Sequence, residues 1–421
     1  MGPATLLACV ALLALAGCSD DKRREAPPVE RSLRAAATVH LRALARIGER
    51  NRDTRAAGTT GYDASVDYVA GRLRAAGYRV RFQDVAFPVF RDRSPPRLEA
   101  GGRRLPALSL RYSAPGRVHA AVARVGLGCR PGDLRGARGR IALAERGTCT
   151  FRVKARLAQA AGARGLVVAD AGSPQPPRGS LIRPGLRIPA VAAGSAASTL
   201  RGRVLLVVDT VARDARSRNV IAERPGAPRR VAMLGAHLDS VREGPGINDN
   251  GSGVAVTLAL AERLRGRRGL RFGFWAAEEL GLNGSRHYVE SLSAAERRRI
   301  AGYVNLDMVG SPNAVRYLYG AGRARAALGE ALRERKLRFE PISIGGSSDH
   351  APFEAAGIST GGLYSGSQER KTARQAREFG GRAGRPLDPC YHRRCDTFER
   401  VDLGVMAELG DAAGGGLVAL G

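Results

Sequence analysis

Residues 231–239, Val-Ala-Met-Leu-Gly-Ala-His-Leu-Asp, form a short apolar run that leads directly into polar residues. Further apolar runs follow along the chain at residues 270–275, 303–306 and 360–363. Patterns of helical spacing fall between the runs at residues 254–264, 286–292 and 324–335. Short apolar runs that alternate with helices are typical of parallel strands covered by helices on both faces. We therefore predict an α/β fold with a doubly wound, mostly parallel sheet over residues 214–421.

The chain before residue 214 divides into two parts. Residues 33–116 hold two helical patterns and a strand, followed by a stretch rich in Pro, Arg and Gly at 88–116 that we interpret as a crossing between domains. Residues 117–213 contain several short apolar runs and one helical pattern, which predicts a small β-rich module inserted into the larger domain. The predicted elements of these two parts are helices at 34–47, 65–76 and 151–161 and strands at 78–82, 118–125, 141–145, 166–169, 189–192 and 204–208.

The composition is that of a folded but very basic protein. Lys and Arg number 68 against 39 Asp and Glu, which gives a formal net charge of +29. Such a charge favours nucleic acids and anionic membrane surfaces electrostatically. However, 64 of the 68 basic residues are arginines, and they are scattered along the chain rather than gathered in one run. We interpret the charge as a composition bias and predict that the protein does not bind nucleic acid.

The amino terminus has the pattern of an export signal. Residues 6–16 form an apolar run of eleven, which is too short to span a bilayer and suits the hydrophobic part of a signal peptide. The residues Leu15-Ala16-Gly17-Cys18 resemble the bacterial lipobox, in which the signal is cut before a cysteine that is then acylated. Export signals normally carry Lys or Arg before the apolar run, and none is present here. The alternative interpretation of residues 6–16 is a buried core helix.

This pattern predicts a signal peptide at 1–17, lipidation of Cys18 and a polar linker at 18–32. The protein would then be an exported lipoprotein, anchored to the cell envelope only through its lipid. No later stretch is predicted to cross a membrane.

Cysteine usage agrees with export. If Cys9 leaves with the signal peptide and Cys18 is lipidated, four cysteines remain, and these can close two disulfides in an oxidising compartment. Cys390 and Cys395 are close enough in sequence to pair locally. Cys129 and Cys149 would then pair by elimination, and four free thiols are the other possibility.

Candidate metal ligands stand where the predicted strands end. His237 and Asp307 directly follow strands, Glu279 follows another strand after a short turn, and Asp249 and His392 lie on predicted loops. Imidazole and carboxylate groups suit zinc, whose catalytic sites leave one position open for water. Three carboxylates would overneutralise one zinc ion but leave two ions with excess positive charge, which lowers the pKa of bound water toward about 7. The set therefore favours two Zn²⁺ ions per chain.

Two further carboxylates have a predicted role beside these ligands. Asp239 lies two residues after His237, so on an extended strand its carboxylate can accept the proton of the non-ligating ring nitrogen. Glu278 cannot easily point at the same metal as its neighbour Glu279, which leaves it free to act as a general base. A surface carboxylate is the other interpretation of Glu278.

Six ordered motifs resemble those of the two-zinc aminopeptidases, the family of secreted bacterial leucine aminopeptidases and their carboxypeptidase relatives. They are GAHLDS at 235–240, GPGINDNGSG at 244–253, AAEELG at 276–281, NLDMVG at 305–310, SDHAPF at 348–353 and CYH at 390–392. The resemblance implies a fold of the zinc exopeptidase type. It also implies that Asp249 bridges two zinc ions.

The same resemblance implies a role for each remaining residue of the site. His237 and Asp307 would bind one zinc ion, and Glu279 and His392 would bind the other. Glu278 would be the base. Tyr391 would hydrogen-bond the scissile carbonyl oxygen, held in place by the loop between Cys390 and Cys395.

The inserted module resembles the protease-associated domain. The resemblance rests on GC at 128–129, RGTCTF at 146–151, the helix that leads to GA at 162–163, GLVV at 165–168 and IPAV at 188–191. Such domains are non-catalytic and lie near the active site as a lid or collar. By this resemblance we expect no catalytic residue in the module.

These observations predict a monomeric metallo-aminopeptidase that removes amino-terminal residues from peptides through a water activated by two zinc ions. Apolar first residues are expected, with Tyr364 and Phe353 as candidate walls of the pocket. The family pattern has an arginine where this chain has Ser347, which leaves the orientation of the substrate open. A carboxypeptidase of the same fold, for which an arginine would clamp an acidic residue, is the alternative within the enzyme class. An inactive receptor or scaffold and a binder of anionic surfaces are the alternatives outside it.

Overall fold

The computed structural model describes residues 1–2, 32–226 and 228–421. Most of the predicted signal peptide, Cys18 and nearly all of the polar linker lie outside the described residues. The helices are α1 Leu33–Arg50, α2 Thr60–Ala75, α3 Phe151–Ala160, α4 Gly253–Arg263, α5 Asn283–Ser291, α6 Ala294–Arg299, α7 Gly322–Glu334, α8 His350–Ala355, α9 Ala373–Phe379 and α10 Leu403–Leu420. The strands are β1 Arg79–Ala100, β2 Arg103–Leu105, β3 Ala107–Ser109, β4 Gly116–Arg124, β5 Ile141–Glu145, β6 Gly165–Ala169, β7 Ala190–Ala193, β8 Arg203–Glu223, β9 Val231–His237, β10 Leu270–Trp275, β11 Ile300–Leu306, β12 Tyr317–Ala321, β13 Glu340–Pro341 and β14 Thr360–Tyr364.

The larger domain is built on a mixed sheet with the strand order β13-β12-β14-β11-β9-β10-β8. Strands β14, β11, β9 and β10 are parallel, whereas β12 and β8 run antiparallel to their neighbours. The four parallel strands are those predicted from the apolar runs, because a strand that is buried on both faces has no polar positions to interrupt it. The predicted α/β class is therefore confirmed.

Helices cover both faces of this sheet. Along β9, Ala232 and Leu234 point into a core shared with α1, α4, α7 and α10, whereas Val231 and Met233 pack on the opposite face with side chains of α5 and α8. The alternation follows from the two-residue period of a strand. Each face of the sheet therefore buries its own apolar cluster.

The inserted module forms a continuation of the sheet, in the order β8-β4-β5-β6-β7-β3. Alternate residues of β5 and β6 again supply two cores. Ala142 and Leu166 lie on one face, and Ile141 and Val167 lie on the other. The module is β-rich, as the sequence predicts.

Residues 88–116, interpreted from the sequence as a crossing between domains, begin with a regular strand. β1 runs through this stretch to Ala100 and pairs antiparallel with β8 from Arg79↔Glu223 to Ala100↔Val204, with irregularities between Asp92 and Arg97. Prolines are tolerated in β1 because a strand with a free edge can lack a hydrogen-bond donor. The predicted module boundary at 213/214 falls inside β8.

Two helices also differ from the sequence prediction. α2 begins at Thr60, five residues before the predicted start, because the hydroxyl of Thr59 accepts a hydrogen bond from the N–H of Tyr62 at 3.3 Å. α10 was not predicted, since its glycines lower helix propensity. A Cβ at Gly410 would lie 2.8 Å from Leu33, so the glycine permits close packing of α10 on α1.

By length and mean hydropathy (1.3), α10 is the one helix among the described residues that could cross a membrane, which the sequence analysis overlooked. Met406, Leu409 and Leu417 of this helix lie in the main core. Half of the 18-residue helix is buried inside the protein. This packing is that of a core helix.

Both predicted cysteine pairs are within bonding distance. The S–S distance is 2.11 Å for Cys129 and Cys149, and 2.16 Å for Cys390 and Cys395. The first pair lies in the inserted module and the second lies in a loop of the larger domain.

Candidate metal centre

Three parallel strands bring polar side chains to one edge of the sheet. β9 ends at His237, β11 is followed directly by Asp307, and a turn after β10 holds Glu278 and Glu279. β9 pairs in parallel with both β10 and β11, so the carboxyl ends of the three strands meet. All four side chains line one cavity, as their positions at strand ends predict.

Asp249 and His392 reach the same edge from loops. Asp249 lies in the turn Ile247–Ser252 that precedes α4, and its backbone angles (φ −108°, ψ 90°) are not helical. Its Oδ1 is 3.2 Å from Nε2 of His237, and its Oδ2 is 3.1 Å from Nε2 of His392. The carboxylate of Asp249 therefore faces both imidazoles, each with one oxygen.

The five predicted ligands form two groups that share Asp249. In the first group, Nε2 of His237 also lies 3.3 Å from Oδ1 of Asp307. In the second group, Nε2 of His392 also lies 3.0 Å from Oε2 of Glu279. Ligands about 2.1 Å from a tetrahedral zinc ion are about 3.4 Å from one another. The spacing of both groups is therefore close to that of zinc ligands.

The burial and charge of these groups also fit a cation. Oε1 of Glu279 is buried and has no hydrogen-bond partner in the described part of the chain. Burial, reinforced by the charge of Asp249, raises the pKa of Glu279 to about 7. Burial lowers the pKa of His392, but its hydrogen bonds to Asp249 and Glu279 outweigh burial and raise that pKa to about 10. Crowded buried carboxylates of this kind are stabilised by a divalent ion.

Asp239 supports the site in a way that differs from the predicted contact. The nearest acceptor to Nδ1 of His237 is the backbone carbonyl oxygen of Asp239 at 3.0 Å, whereas the carboxylate is 3.8 Å away. The carboxylate of Asp239 instead accepts the backbone N–H groups of Glu278 (3.1 Å) and Glu279 (3.3 Å). Asp239 therefore joins the end of β9 to the turn that carries both glutamates.

Glu278 lies in the cavity beside the two groups of ligands. Its carboxylate makes no hydrogen bond or ion pair with any described residue, so both oxygens are free to exchange a proton. Burial raises the pKa of Glu278 well above its usual value, and the charge of His237 opposes this shift. A raised pKa suits a carboxylate that must accept a proton and return it near neutral pH.

The backbone around the site is held in an uncommon conformation. Ala277, Met308 and His392 all have positive φ angles, of 53°, 52° and 57°. Ala277 precedes Glu278, Met308 follows Asp307, and His392 is itself a predicted ligand. Side chains other than glycine adopt this region at a cost of about 1 kcal/mol or more, so the surrounding contacts must hold the backbone in place.

The loop that carries Tyr391 and His392 is attached to the loop that carries Asp249. The Asp396 carboxylate accepts the backbone N–H groups of Asn248 at 2.7 Å and Asp249 at 3.0 Å. The rings of Tyr391 and His392 stack at 3.8 Å. The sequence analysis missed Asp396, although its position directly after Cys395 was a signal that it belongs to this loop.

Ser348 is a second residue that the sequence analysis missed. Its hydroxyl donates to Oδ2 of Asp307 at 2.6 Å and accepts a hydrogen bond from Nδ2 of Asn305. The bond leaves Oδ1 of Asp307 facing His237. Ser348 lies in the SDHAPF motif, and the sequence analysis assigned no function to this serine.

The cavity in front of the ligands has a volume of about 330 Å³. Its apolar wall consists of Met308, Ile342, Ile344 and Tyr364. Tyr364 therefore lines the pocket, as the sequence analysis predicts. Phe353, the other candidate wall, does not line the pocket, because it is fully buried in the core and its ring stacks on that of Tyr303 at 3.8 Å.

The polar part of the cavity is acidic. Ser347 lines it at the position where the family pattern has an arginine, and Glu369 adds a carboxylate that accepts a hydrogen bond from Tyr364 at 3.0 Å. Neither Lys nor Arg is among the described residues that line the cavity. The arginine clamp that a carboxypeptidase for acidic residues would need is therefore missing from this wall.

Arg55 is a third residue that the sequence analysis missed, and it is fully buried. Its guanidinium donates to the carbonyl oxygens of Leu238, Pro245 and Gly246 at 2.7, 2.9 and 2.6 Å. Burial lowers its pKa to about 10, which leaves it charged at neutral pH. Arg55 thereby fixes the segment between His237 and Asp249 to the amino-terminal part of the chain.

Replacing Arg55 with Met should therefore lower the free energy of unfolding by about 3 kcal/mol, because three buried carbonyl oxygens lose a charged donor. Urea denaturation followed by circular dichroism measures the change. Arg50→Met, at an exposed position of α1, is the matched control and should change stability by less than about 0.5 kcal/mol. Equal stability of both variants would mean that the three hydrogen bonds contribute nothing.

A wound sheet that gathers imidazoles and carboxylates at zinc spacing, next to an unbonded glutamate, defines a zinc-dependent hydrolase. Comparison with known proteins narrows this class. Residues 219–415 match the family model described as Peptidase family M28, and residues 117–200 match the model of the PA domain.

Relatives over most of the chain agree with the family models. The chain is 38% identical to an aminopeptidase of Pseudomonas aeruginosa, with 88% of this chain and 78% of that protein covered. It is also 38% identical to the probable lipoprotein aminopeptidase LpqL of Mycobacterium tuberculosis, with 86% of this chain and 80% of that protein covered. The solved structure of BSAP, a zinc aminopeptidase from Bacillus subtilis, matches with a TM-score of 0.66 at 28% identity, covering 92% of this chain and 96% of that one.

The chain therefore belongs to peptidase family M28, and it is a zinc-dependent exopeptidase with an inserted PA domain. The predicted family is confirmed. The relatives are all named aminopeptidases, so they do not favour the two alternative interpretations, a carboxypeptidase and an inactive scaffold.

Proposed function

We propose that this enzyme is an aminopeptidase that uses two zinc ions to hydrolyse the first peptide bond of its substrates. The observation that carries the proposal is the division of the five ligands into two groups that share Asp249. His237, Asp307 and one oxygen of Asp249 would hold one ion. Glu279, His392 and the other oxygen of Asp249 would hold the second.

Bound zinc would supply Lewis-acid chemistry, which acidifies water and polarises the scissile carbonyl group. Glu278 accepts the proton of the attacking water with its free carboxylate and returns it to the leaving amine. Tyr391, stacked on His392, donates a hydrogen bond from its hydroxyl group to the carbonyl oxygen as negative charge develops there. Asp239, Ser348 and Asp396 hold the reacting groups in position.

The charge of the cavity favours an amino terminus over a carboxyl terminus. Glu278 and Asp307 offer acceptors for a free α-ammonium group, and Lys and Arg are missing from the described lining. The apolar wall of Met308, Ile342 and Ile344 is suited to an apolar first side chain. The preferred substrate is therefore a peptide with a free amino terminus and an apolar first residue.

A panel of three compounds tests this assignment. Leucyl p-nitroanilide should be hydrolysed, and N-acetyl-leucyl p-nitroanilide should not, because acetylation removes the charge that the carboxylates bind. A dipeptide with a blocked amino terminus and a carboxyl-terminal glutamate should also be inert. Hydrolysis of the last compound but not the first would replace the aminopeptidase with a carboxypeptidase.

We further propose that the protein is an exported monomer, anchored to the cell envelope by a lipid on Cys18. Two intramolecular disulfides agree with an oxidising compartment. The relative LpqL is named a probable lipoprotein. A monomer suffices because one chain supplies every residue of the proposed site.

Replacing Cys18 with Ser should move the enzyme from the membrane fraction to the soluble fraction when membranes are washed at high salt, because the acylated thiol would be lost. Fractionation followed by immunoblotting and an assay with leucyl p-nitroanilide measures the change. Cys9→Ser is the matched control and should stay with the membrane. Membrane retention of the Cys18 variant at high salt would exclude the lipid anchor.

A further inference from the structure

The amino ends of β9, β10 and β11 carry a dense group of arginines, which we name the basic edge. It comprises the segments 224–230, 264–269 and 294–299. These segments hold nine arginines and one glutamate among 19 residues, whereas Lys and Arg together make up 68 of the 421 residues of the chain. The basic edge is therefore a local concentration of charge that a general composition bias does not explain.

Strand pairing brings the three segments together. Val231 of β9 is in register with Ile300 of β11, and Ala232 is in register with Leu270 of β10. The first residues of all three strands thus stand side by side. Nε of Arg299 also donates to the carbonyl oxygen of Arg229 at 3.2 Å, which links the first and third segments directly.

Most of this charge is uncompensated. Six arginines are exposed and make no side-chain hydrogen bond or ion pair with any described residue, namely Arg229, Arg230, Arg265, Arg267, Arg268 and Arg298. The neighbouring acidic side chains already have partners. Glu223 pairs with Arg271 and Arg299, and Glu296 accepts hydrogen bonds from the backbone N–H and the hydroxyl group of Ser293. An exposed cluster of this kind attracts an extended anionic surface.

The basic edge lies opposite the metal centre. β9 runs from Val231 at the basic edge to His237 at the cavity, and β11 runs from Ile300 toward Asp307. Strands of this length separate their two ends by about 20 Å. A surface bound at the basic edge would therefore leave the cavity open on the far side.

The linker of the proposed anchor does not by itself orient the enzyme. Residues 19–31 contain four acidic and four basic residues, so their net charge is zero. Thirteen residues lie between Cys18 and Ser32, and this part of the chain is long enough to span about 45 Å when extended. Leu33 packs against Gly410, halfway along α10, so a linker of that length reaches either edge of the sheet.

We propose that the basic edge docks on the anionic lipid headgroups of the membrane that carries the anchor, so that the metal centre faces away from that membrane. The proposal goes beyond the proposed function and rests on it only for the anchor. Anionic lipid attracts each nearby arginine with about 1 kcal/mol, which is about fivefold in binding per residue. Six free arginines are therefore enough to select one orientation.

Vesicle binding of the zinc-loaded mature chain, starting at residue 18 and carrying Cys18→Ser, tests the proposal without a lipid or a signal peptide. Sedimentation with vesicles of phosphatidylcholine containing about 30% phosphatidylglycerol should retain the enzyme at low salt. Vesicles of phosphatidylcholine alone should not retain it. The triple variant Arg229→Gln, Arg268→Gln, Arg298→Gln should weaken binding about 100-fold, because three contacts of about fivefold each are lost.

The matched control removes the same charge elsewhere. Arg135, Arg140 and Arg164 are exposed on the inserted module and make no side-chain hydrogen bond or ion pair with the described residues. Their replacement by Gln should weaken vesicle binding by less than about threefold, because charges beyond about 10 Å are screened. Hydrolysis of leucyl p-nitroanilide should be equal in all variants, which checks their folding.

Three results would overturn the proposal. They are an equal loss of vesicle binding in both triple variants, equal binding to neutral vesicles, and binding of duplex DNA through the same arginines without binding of vesicles. Retained docking by an enzyme that hydrolyses no peptide would instead refute the proposed function alone. The two proposals therefore fail in different measurements.

Discussion

The variant Glu278→Gln is expected to keep two zinc ions per chain and to lose about 10³-fold or more in kcat. The amide has the size and shape of the carboxylate but cannot accept a proton at neutral pH. Metal binding should persist, because Glu278 belongs to neither group of ligands. Inductively coupled plasma mass spectrometry for zinc and steady-state kinetics with leucyl p-nitroanilide measure the two effects on the same sample.

Glu369→Gln is the matched control for this experiment, since it makes the same change at another carboxylate of the cavity. Glu369 is bound by Tyr364 and by the backbone N–H of Ser367, and it should keep kcat within about tenfold. Loss of zinc from the Glu278 variant would make Glu278 a ligand. Full activity of that variant would remove it from the mechanism.

Replacing Asp249 with Ala is expected to release both zinc ions and to abolish activity, whereas His392→Ala should release one ion. The difference follows from the geometry, because the two oxygens of Asp249 face His237 and His392 separately, at 3.2 and 3.1 Å. His392 contacts only the second group. Zinc content per chain after gel filtration, with activity measured in parallel, distinguishes the two variants.

Thermal unfolding gives this experiment its structural control. Both variants should unfold cooperatively, and added zinc should raise the Tm of the His392 variant, since one group of ligands remains intact. A wild-type enzyme with one zinc ion per chain at full activity would refute the two-zinc proposal. Equal zinc content in both variants would refute the shared role of Asp249.

The part of the site that follows from strand order was accessible from the sequence. His237, Asp307 and Glu279 lie at the ends of buried parallel strands, and such strands appear in a sequence as uninterrupted apolar runs. The sheet brings their ends together, so the position of each residue in its run predicts its place in the molecule. The four parallel strands of the larger domain were predictable for the same reason.

Contacts between distant loops were not accessible from residue patterns. Arg55 donates hydrogen bonds to carbonyl groups about 190 residues away. Nothing in the residue pattern around Arg55 distinguishes this buried arginine from the other arginines of the chain. Asp396 acts through two backbone N–H groups of another loop, which no spacing rule predicts. Asp249 and His392 were candidate ligands on loops, but their assignment to individual metal positions came from motif resemblance, because loop geometry is set by such long-range bonds.

Two elements were misread because local composition opposed tertiary packing. The prolines and arginines of β1 suggest a linker, but its pairing with β8 holds it as a strand. The glycines of α10 lower helix propensity, so no helix was predicted there, but they allow close contact with α1 and α7. In both cases the neighbouring element decides the conformation.

The pairing of β1 with β8 also joins the inserted module to the larger domain through two paired strands rather than through an irregular linker. Both strands pass from the module into the larger domain without a break, and the last residues of β8 pair with β10, from Arg271↔Glu223 to Phe274↔Val220. β10 leads directly to the turn of Glu278. The inserted module and the strand that precedes the general base are thus joined by one run of backbone hydrogen bonds, and a chain cut at 213/214 would fall inside β8, within that run.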